Sequence, residues 1–323
     1  MKKYLLIIYS FSSYFIYAQH NRSLLSNYEK YHETLNEIYS FDSIYNDSVI
    51  NIYERAFKFA IPFSEDVYDL SYYYYSNDNK LKAEKCLEKS VLLGYQMKKD
   101  ISYYDSLYPE VLYGNFAYGN SFVDTTSAYF QFESNFMRNS YDSLRAVFLG
   151  SIQNDSYFEV LLENEKYAQL IRLNQNHSFY TREVLNNEVF KPNANLIFKL
   201  IEVDMFPSRR STRRFNSHSI SMLLNHCIAG MEDKDQAEKL MKMLWQKVVL
   251  GELTPIEYAS AYDHYVHHFI NSRKSYFGTN LKKGRIRKLL LPKKIGELRN
   301  DYWLPSIENY ANYYDLKLPK NLN

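Results

Sequence analysis

The sequence predicts an all-α fold, and three observations support this. The chain has 323 residues but only 9 glycines and 8 prolines, so few positions interrupt a helix. Long segments place apolar residues three and four positions apart, as one face of a helix requires. Alternation with a period of two, which is typical of strands, is scarce. We therefore expect antiparallel helix pairs along most of the chain.

The first 18 residues resemble a secretory signal peptide. Lys2 and Lys3 form a charged start, an apolar run extends from Tyr4 to Tyr17, and Ala18 precedes a plausible cleavage point. The run is shorter than the about 20 residues of a transmembrane helix. We expect export into the periplasm or the medium, with no transmembrane span in the mature chain. The alternative is an uncleaved anchor.

The charge of the chain argues against one class of partner. Removal of residues 1–18 takes away two lysines and no acid, which changes the net charge from +2 to 0. A balanced chain lacks the basic excess of a general nucleic-acid binder, so no nucleic acid is expected. Cys86 and Cys227 are the only cysteines. Separate thiols are favoured over a disulfide, but an oxidising compartment leaves pairing open.

Residues 19–97 are predicted to form tetratricopeptide-like helix pairs, whose surface would bind a protein or peptide. Helices are expected over Asn27–Ser40, Val49–Ala60 and in a pair between Ser64 and Tyr95, with a polar turn at 76–79. The spacing of large and small residues in this pair matches such a repeat. The residues concerned are Val67, Leu70, Ser71, Tyr74, Ala83, Leu87 and Ser90.

The remaining residues divide into a linker and a second helical region. Residues 98–124 contain Pro109, Gly114 and Gly119 and lack steady periodicity, so we assign them as a linker. Residues 125–323 are predicted to be an irregular α-helical domain. Its helices are expected over Ser127–Phe148, Ser156–Asn174, Ser178–Glu188, Ala194–Val203, Ser217–Ile228, Lys234–Leu250, Pro255–Ile270 and Ser306–Tyr314.

The helix that begins at Pro255 has the strongest start signal in the chain. Thr254 is a favourable N-cap, Pro255 suits the first helical position, and Glu257 completes a capping box. Steps of three and four place one carboxylate in an apolar stripe. The stripe consists of Ile256, Ala259, Asp263, Val266 and Ile270. Since a buried carboxylate needs a partner, Asp263 is the first candidate for a functional residue.

A series of ordered landmarks extends across the second half of the chain. They are Asn195-Leu196, Phe206-Pro207-Ser208, Leu223-Leu224-Asn225-His226, Leu250-Gly251-Glu252-Leu253-Thr254-Pro255, Tyr276-Phe277-Gly278-Thr279 and Leu304-Pro305-Ser306. Over residues 160–316 this order resembles an uncharacterised family of exported bacterial helical proteins, catalogued as a domain of unknown function. The resemblance implies an exported helical domain preceded by repeats, and it carries no activity. The sequence departs from the family at Cys227-Ile228 and at Asn280, which weakens the expectation of a shared polar site.

Two interpretations of Asp263 stay open. As a functional group it would be a general base or an anchor for a ligand amine, and the imidazole of His226 on another helix could pair with it. As a structural group it would cap a helix or pair with an arginine such as Arg273. The candidate polar site consists of His226, Asp263, His267, Tyr276, Gly278 and Thr279.

No metal or cofactor is expected. His264, His267 and His268 lie close together on one predicted helix, and histidines four apart can share a zinc ion. However, a third ligand at a recognisable spacing, an HExxH motif and a CxxC motif are all absent from the sequence. A solvated helix face is the favoured interpretation.

Two basic runs suggest contact with an anionic surface such as lipid headgroups or acidic polysaccharide. One contains Arg209, Arg210, Arg213 and Arg214, and the other extends from Lys282 to Lys294. Solvated loops are the alternative. The sequence specifies no reaction, so the first functional hypothesis is a non-enzymatic interaction module for a peptide, protein or glycan. The second is a hydrolase-like enzyme that uses His226 and Asp263 beside the Tyr276–Thr279 loop.

Overall fold

The computed structural model describes residues 27–40, 46–95, 128–151, 183–203, 205–206, 217–282 and 284–322. The signal-like segment, the 98–124 linker, the helix expected over Ser156–Asn174 and the run Arg209–Arg214 lie outside these ranges. Twelve α-helices are labelled here in chain order. They are α1 (27–36), α2 (Asn46–Ala56), α3 (Ser64–Ser76), α4 (Lys80–Leu92), α5 (Ala128–Phe136), α6 (Asp142–Ser151), α7 (Lys191–Glu202), α8 (Ser217–Gly230), α9 (Lys234–Val249), α10 (Pro255–Tyr265), α11 (Ile295–Asp301) and α12 (Ile307–Tyr313).

The described part of the chain is mostly helical, which confirms the predicted all-α class. Short 3₁₀ segments occur at Glu37–Ser40 and Pro292–Lys294. Three π-helical segments adjoin α-helices, at Met137–Tyr141, Asn186–Phe190 and Val266–Ile270. None of the described helices combines the length and the apolar character that crossing a bilayer demands.

Helices α3 and α4 form the predicted pair. All seven residues that match the tetratricopeptide spacing are buried, from Val67 in α3 to Ser90 in α4. Small residues at the contact, such as Ser71 and Ala83, let the two helices approach closely. Asn79 caps α4 by accepting from the Lys82 amide at 3.2 Å. The pair is therefore present, while its membership of a tetratricopeptide array remains a prediction.

The largest hydrophobic core of the described residues joins helices from the first third of the chain to residues near position 303. It contains Tyr28 and Phe63 from the first third, the buried face of α8, and Trp303 near the C-terminus. Asn36 on α1 also donates to the Trp303 carbonyl oxygen at 3.0 Å. The first helices therefore pack directly on residues of the predicted second domain.

The apolar face of α8 agrees with the sequence prediction. Its stripe, composed of Ile220, Leu223, Leu224, Cys227 and Ile228, is fully or almost fully buried against α7 and α10. Cys227 is buried and Cys86 is partly buried, and the two do not form a disulfide bond with each other. Burial raises the pKa of the Cys86 thiol to about 11. The two thiols are separate in this structure, which is the alternative that the sequence favoured.

The periodicity does not predict four strands of two residues each. β1 (Lys274–Ser275) pairs in parallel with β4 (Lys288–Leu289), and β2 (Leu281–Lys282) pairs antiparallel with β3 (Arg285–Ile286). Strands this short contain no repeated alternation. They fold the basic run after α10 into a small β module, which packs beside α11 and α12.

One residue of the predicted α10 stripe is misplaced. Ala259, Asp263 and Val266 are buried as expected, but Ile270 is 47% exposed. The helix changes to π geometry over Val266–Ile270, and the wider turn rotates later side chains away from the stripe.

Candidate functional site

Asp263 lies on a helix whose start is firmly fixed. Thr254 Oγ1 accepts from the Glu257 amide at 3.3 Å, and Glu257 Oε2 accepts from the Thr254 amide at 2.8 Å. This is the predicted capping box, with Pro255 at the first helical position. The capped helix directs Asp263 into the interior, where it is 0% exposed.

The Asp263 carboxylate accepts five hydrogen bonds from the segment that follows the helix. The amides of Tyr276 and Phe277 donate to Oδ1, the latter at 2.8 Å. Ser275 Oγ, the Thr279 amide and Thr279 Oγ1 donate to Oδ2 at 2.5, 2.7 and 2.7 Å. Two carboxylate oxygens have about four lone-pair positions, so the acceptor capacity of Asp263 is filled.

The same segment, Ser275–Thr279, is held by further bonds and is called the clasp here. Ser275 Oγ accepts from the Gly278 amide at 3.0 Å, and Asn280 Nδ2 donates to the Asp263 carbonyl at 3.0 Å. Gly278 has a φ of +83°, and a Cβ atom there would lie 2.6 Å from Ile307 Cδ1. Glycine is therefore needed both for the backbone conformation and for the approach to α12.

A buried arginine, Arg299, holds the other side of the clasp. Its Nη1 donates to the Phe277 carbonyl at 2.5 Å and its Nε to the Pro305 carbonyl at 2.6 Å. Its guanidinium carbon lies 4.9 Å from the ring centre of Tyr310. Burial lowers the pKa of Arg299, whereas Tyr310 and Asp263 act in the opposite direction. The Phe277 amide therefore donates to a buried carboxylate, and the Phe277 carbonyl accepts from a buried guanidinium.

The structural interpretation of Asp263 is supported, although the expected partner differs. Arg273 is exposed and is not among the donors to the Asp263 carboxylate. Arg299 is the buried arginine near Asp263 instead. It bonds to the Phe277 carbonyl and not to the Asp263 carboxylate itself. Arg299 could not be predicted from local patterns, because it lies in a helix of seven residues with no clear apolar period.

His226 is not joined to Asp263. It is half-buried on α8, and its ring stacks on Phe190 with centroids 4.4 Å apart and planes inclined by 18°. All side-chain hydrogen bonds of Asp263 come from the clasp. The carboxylate–imidazole pair of the enzyme hypothesis is therefore not formed.

The three histidines at the end of α10 are close neighbours. The ring of His264 lies 4.7 Å from that of His268 and 6.2 Å from that of His267. The pKa of His264 is lowered to about 3, mainly by burial and to a smaller extent by the nearby His268, His267 and His226. Among the described residues, no group of three or more His, Cys, Asp or Glu side chains is arranged to hold a metal ion. His267 lies on the π-helical segment that follows α10.

The ring of Tyr276 belongs to an aromatic cluster rather than to a polar pocket. It is half-buried and packs 4.9 Å from Tyr262 and 4.9 Å from Phe277. Tyr302 stacks in turn on Tyr258 with an inclination of 8°. Burial raises the pKa of Tyr276. Of the six candidate residues, the structure therefore brings together Asp263, Tyr276, Gly278 and Thr279.

The basic residues of the β module form a surface that we call the basic face. Strand alternation directs Ser275, Ile286 and Leu289 inward, so Lys274, Arg285 and Lys288 lie on the other side. The register places Lys274 opposite Lys288 and Lys282 opposite Arg285. The described residues of the face are Arg273, Lys274, Lys282, Arg285, Arg287, Lys288, Lys293, Lys294, Lys317 and Lys320.

A groove lies between α7 and the junction of α8 with α9. It encloses about 630 Å³. Its lining combines apolar, amide and charged side chains, including Asn195, Phe198, Lys199, Met231, Gln236 and Lys239. Lys239 lies 4.9 Å from the Phe198 ring centre and pairs with Glu202 at 2.9 Å. No sequence motif indicated this groove, because it is formed by three separate helices.

Comparisons of the chain with protein-family models, with curated proteins and with solved structures found no match. The resemblance to an exported family of unknown function therefore stays a prediction.

Proposed function

We propose that this chain is an exported, non-enzymatic interaction module that binds an anionic partner through its basic face. A second contact, with a peptide, protein or glycan segment, is assigned to the groove beside α7. Export rests on the signal-like pattern of residues 1–18.

The observation that carries the proposal is the segregation of charge. Between positions 272 and 294 the sequence has nine basic residues and no acidic one, although the whole chain carries only +2. Within the described ranges, none of the basic-face side chains forms an ion pair with a carboxylate. Like charges placed opposite each other on paired strands are destabilising. An anionic partner would remove that repulsion.

Binding to an immobilised polyanion such as heparin tests this contact. The mature protein should be retained at low salt and released as the salt concentration rises. The triple variant Lys288→Gln, Lys293→Gln, Lys294→Gln should elute at clearly lower salt. The matched control, Lys80→Gln, Lys85→Gln, Lys89→Gln on α4, removes the same charge elsewhere and should elute close to the parent. Equal elution of the two variants would refute the assignment.

The groove beside α7 supports the second contact. Phe198 and Met231 supply apolar surface, while Asn195 and Gln236 supply amide donors and acceptors. This mixture suits an extended peptide or a glycan, which need apolar contact and directed hydrogen bonds together. Peptides selected by display on the mature protein should bind at least about tenfold more weakly to Phe198→Asp. Leu81→Asp, at a position 65% exposed on α4, is the control. Selected peptides that bind both variants equally would exclude the groove.

The enzyme alternative finds no support in the site. A general base must be able to accept a proton from a substrate, but Asp263 is 0% exposed and its acceptor positions are filled. His226 stacks on Phe190 instead of orienting toward that carboxylate. We therefore do not carry the hydrolase-like hypothesis further.

A further inference from the structure

We infer that the basic face is a docking surface for a lipid bilayer rich in anionic headgroups. This inference rests on the anionic contact proposed above and specifies its partner. Three features of the β module support this inference. Its exposed charges are mainly lysines, apolar side chains lie on the same module, and its described exposed side chains include few or no aromatic rings.

The charges available for binding are mainly lysine ammonium groups. Arg285 Nη1 donates to the Leu318 carbonyl at 2.7 Å, and Arg287 Nη1 donates to the Ser272 carbonyl at 2.8 Å. Both arginines are therefore partly engaged within the protein. Lys288, Lys293 and Lys294 are exposed. Lysine acts as a flexible point charge, which suits the diffuse field of a charged membrane better than paired recognition of a single phosphate.

Two leucines lie exposed among these lysines. Leu291 is 40% exposed and Leu318 is 36% exposed. Each precedes a proline and a lysine, in the repeated sequence Leu-Pro-Lys at 291–293 and 318–320. Both segments belong to the β module, because Arg285 forms a β-bridge with Lys317 and the Asn321 side chain bonds to the amide and the carbonyl of Leu289 at 2.8 and 2.9 Å. Apolar side chains beside a basic cluster supply the second signal that peripheral membrane binding requires.

The exposed side of the module lacks an aromatic platform. Among the described residues from 273 to 294, no Trp, Tyr or Phe side chain is highly exposed. Binding of single-stranded nucleic acid relies on aromatic rings that stack on bases. A bilayer needs only the basic charge and the apolar side chains, so it fits this surface better.

The test measures binding of the mature protein to vesicles and, in parallel, to heparin. Vesicles of phosphatidylglycerol mixed with phosphatidylcholine are compared with vesicles of phosphatidylcholine alone, by sedimentation at low salt. We expect binding to the anionic vesicles to be at least about tenfold stronger. Each lysine near a charged membrane contributes roughly fivefold, so Lys288→Gln, Lys293→Gln, Lys294→Gln together should weaken it about 100-fold. The α4 lysine variant serves again as the control.

A leucine variant separates lipid from other polyanions. Leu291→Ser combined with Leu318→Ser should weaken vesicle binding by roughly three- to tenfold and leave heparin binding unchanged, because only a bilayer takes up apolar side chains. Heparin binding without vesicle binding would overturn the lipid inference and keep the anionic contact. Vesicle binding that is insensitive to both leucines would also overturn it. If the parent protein binds neither heparin nor anionic vesicles, the proposed anionic contact is refuted as well.

Discussion

Replacement of Asp263 by Asn tests the clasp most severely, because it keeps the shape and removes the charge. The Asn side chain retains one oxygen and presents an NH₂ group in place of the other. The favourable orientation keeps the oxygen at Oδ1, facing the amides of Tyr276 and Phe277. The NH₂ group then faces Ser275 Oγ, which can turn to accept, and the Thr279 amide, which cannot.

The size of the effect follows from these contacts. One buried amide left without an acceptor costs about 1–3 kcal/mol. The remaining bonds to Oδ1 lose the strengthening that an ionised acceptor provides, which is roughly a further 1 kcal/mol each. Arg299, which is 0% exposed, also loses a nearby negative charge. We therefore expect a loss of about 3–5 kcal/mol.

The assay is differential scanning calorimetry of the mature protein and the variant at pH 7. With about 2–4 °C per kcal/mol for a chain of this size class, Tm should fall by roughly 10 °C. Asp301→Asn is the matched control, since Asp301 is exposed on α11, and its Tm should change little. An Asp263→Asn variant that melts at or above the parent temperature would refute the structural role and revive the search for a reaction at Asp263.

Three further predictions concern other buried contacts. Gly251→Ala should lower the free energy of unfolding by about 2–4 kcal/mol in urea titrations, because Gly251 has a φ of +70° and a Cβ atom there would lie 2.0 Å from Tyr28 Cζ; Gly296→Ala, in open space, should have little effect. Arg299→Met should lower the free energy of unfolding by about 2–6 kcal/mol in the same assay, since the buried Phe277 and Pro305 carbonyls lose their donors. His32 is 7% exposed, and burial lowers its pKa from 6.5 to about 3. As the pH falls, the His32 side chain therefore becomes protonated in the unfolded state before it does so in the folded state, which lowers the free energy of unfolding. Between pH 7 and pH 5 this loss should be about 2 kcal/mol smaller in His32→Phe than in the parent. An unchanged pH dependence in the variant would contradict this prediction.

Much of the helical framework could be predicted, because long amphipathic helices have local signals. The stripe of α8 and the seven positions of the α3–α4 pair are buried as the spacing required. The capping box at Thr254 fixed the start of α10 and hence the inward direction of Asp263. These features depend on residues within a few positions of each other.

The rest depends on contacts between distant residues. Arg299 and Phe277 are 22 positions apart, and no local pattern relates them. The strands formed by the basic run after Thr279 could not be predicted, because strands of two residues carry no alternation. Ile270 was expected in the core, but π geometry over Val266–Ile270 shifts its direction. Periodicity assumes an ideal helix, so it fails where the turn widens.

Asp263 fixes the clasp from within the protein, and we propose that the interaction surfaces, rather than Asp263, are the basis of function. Hydrogen exchange of the backbone amides of Tyr276, Phe277 and Thr279 measures how strongly their bonds to Asp263 protect them. We predict protection of these amides close to that of the buried α9 amides, and its loss in Asp263→Asn. If these three amides exchange in the parent protein as fast as those of the exposed turn at 77–79, Asp263 does not hold the clasp. Amides bonded to a buried carboxylate cannot exchange without opening of the structure.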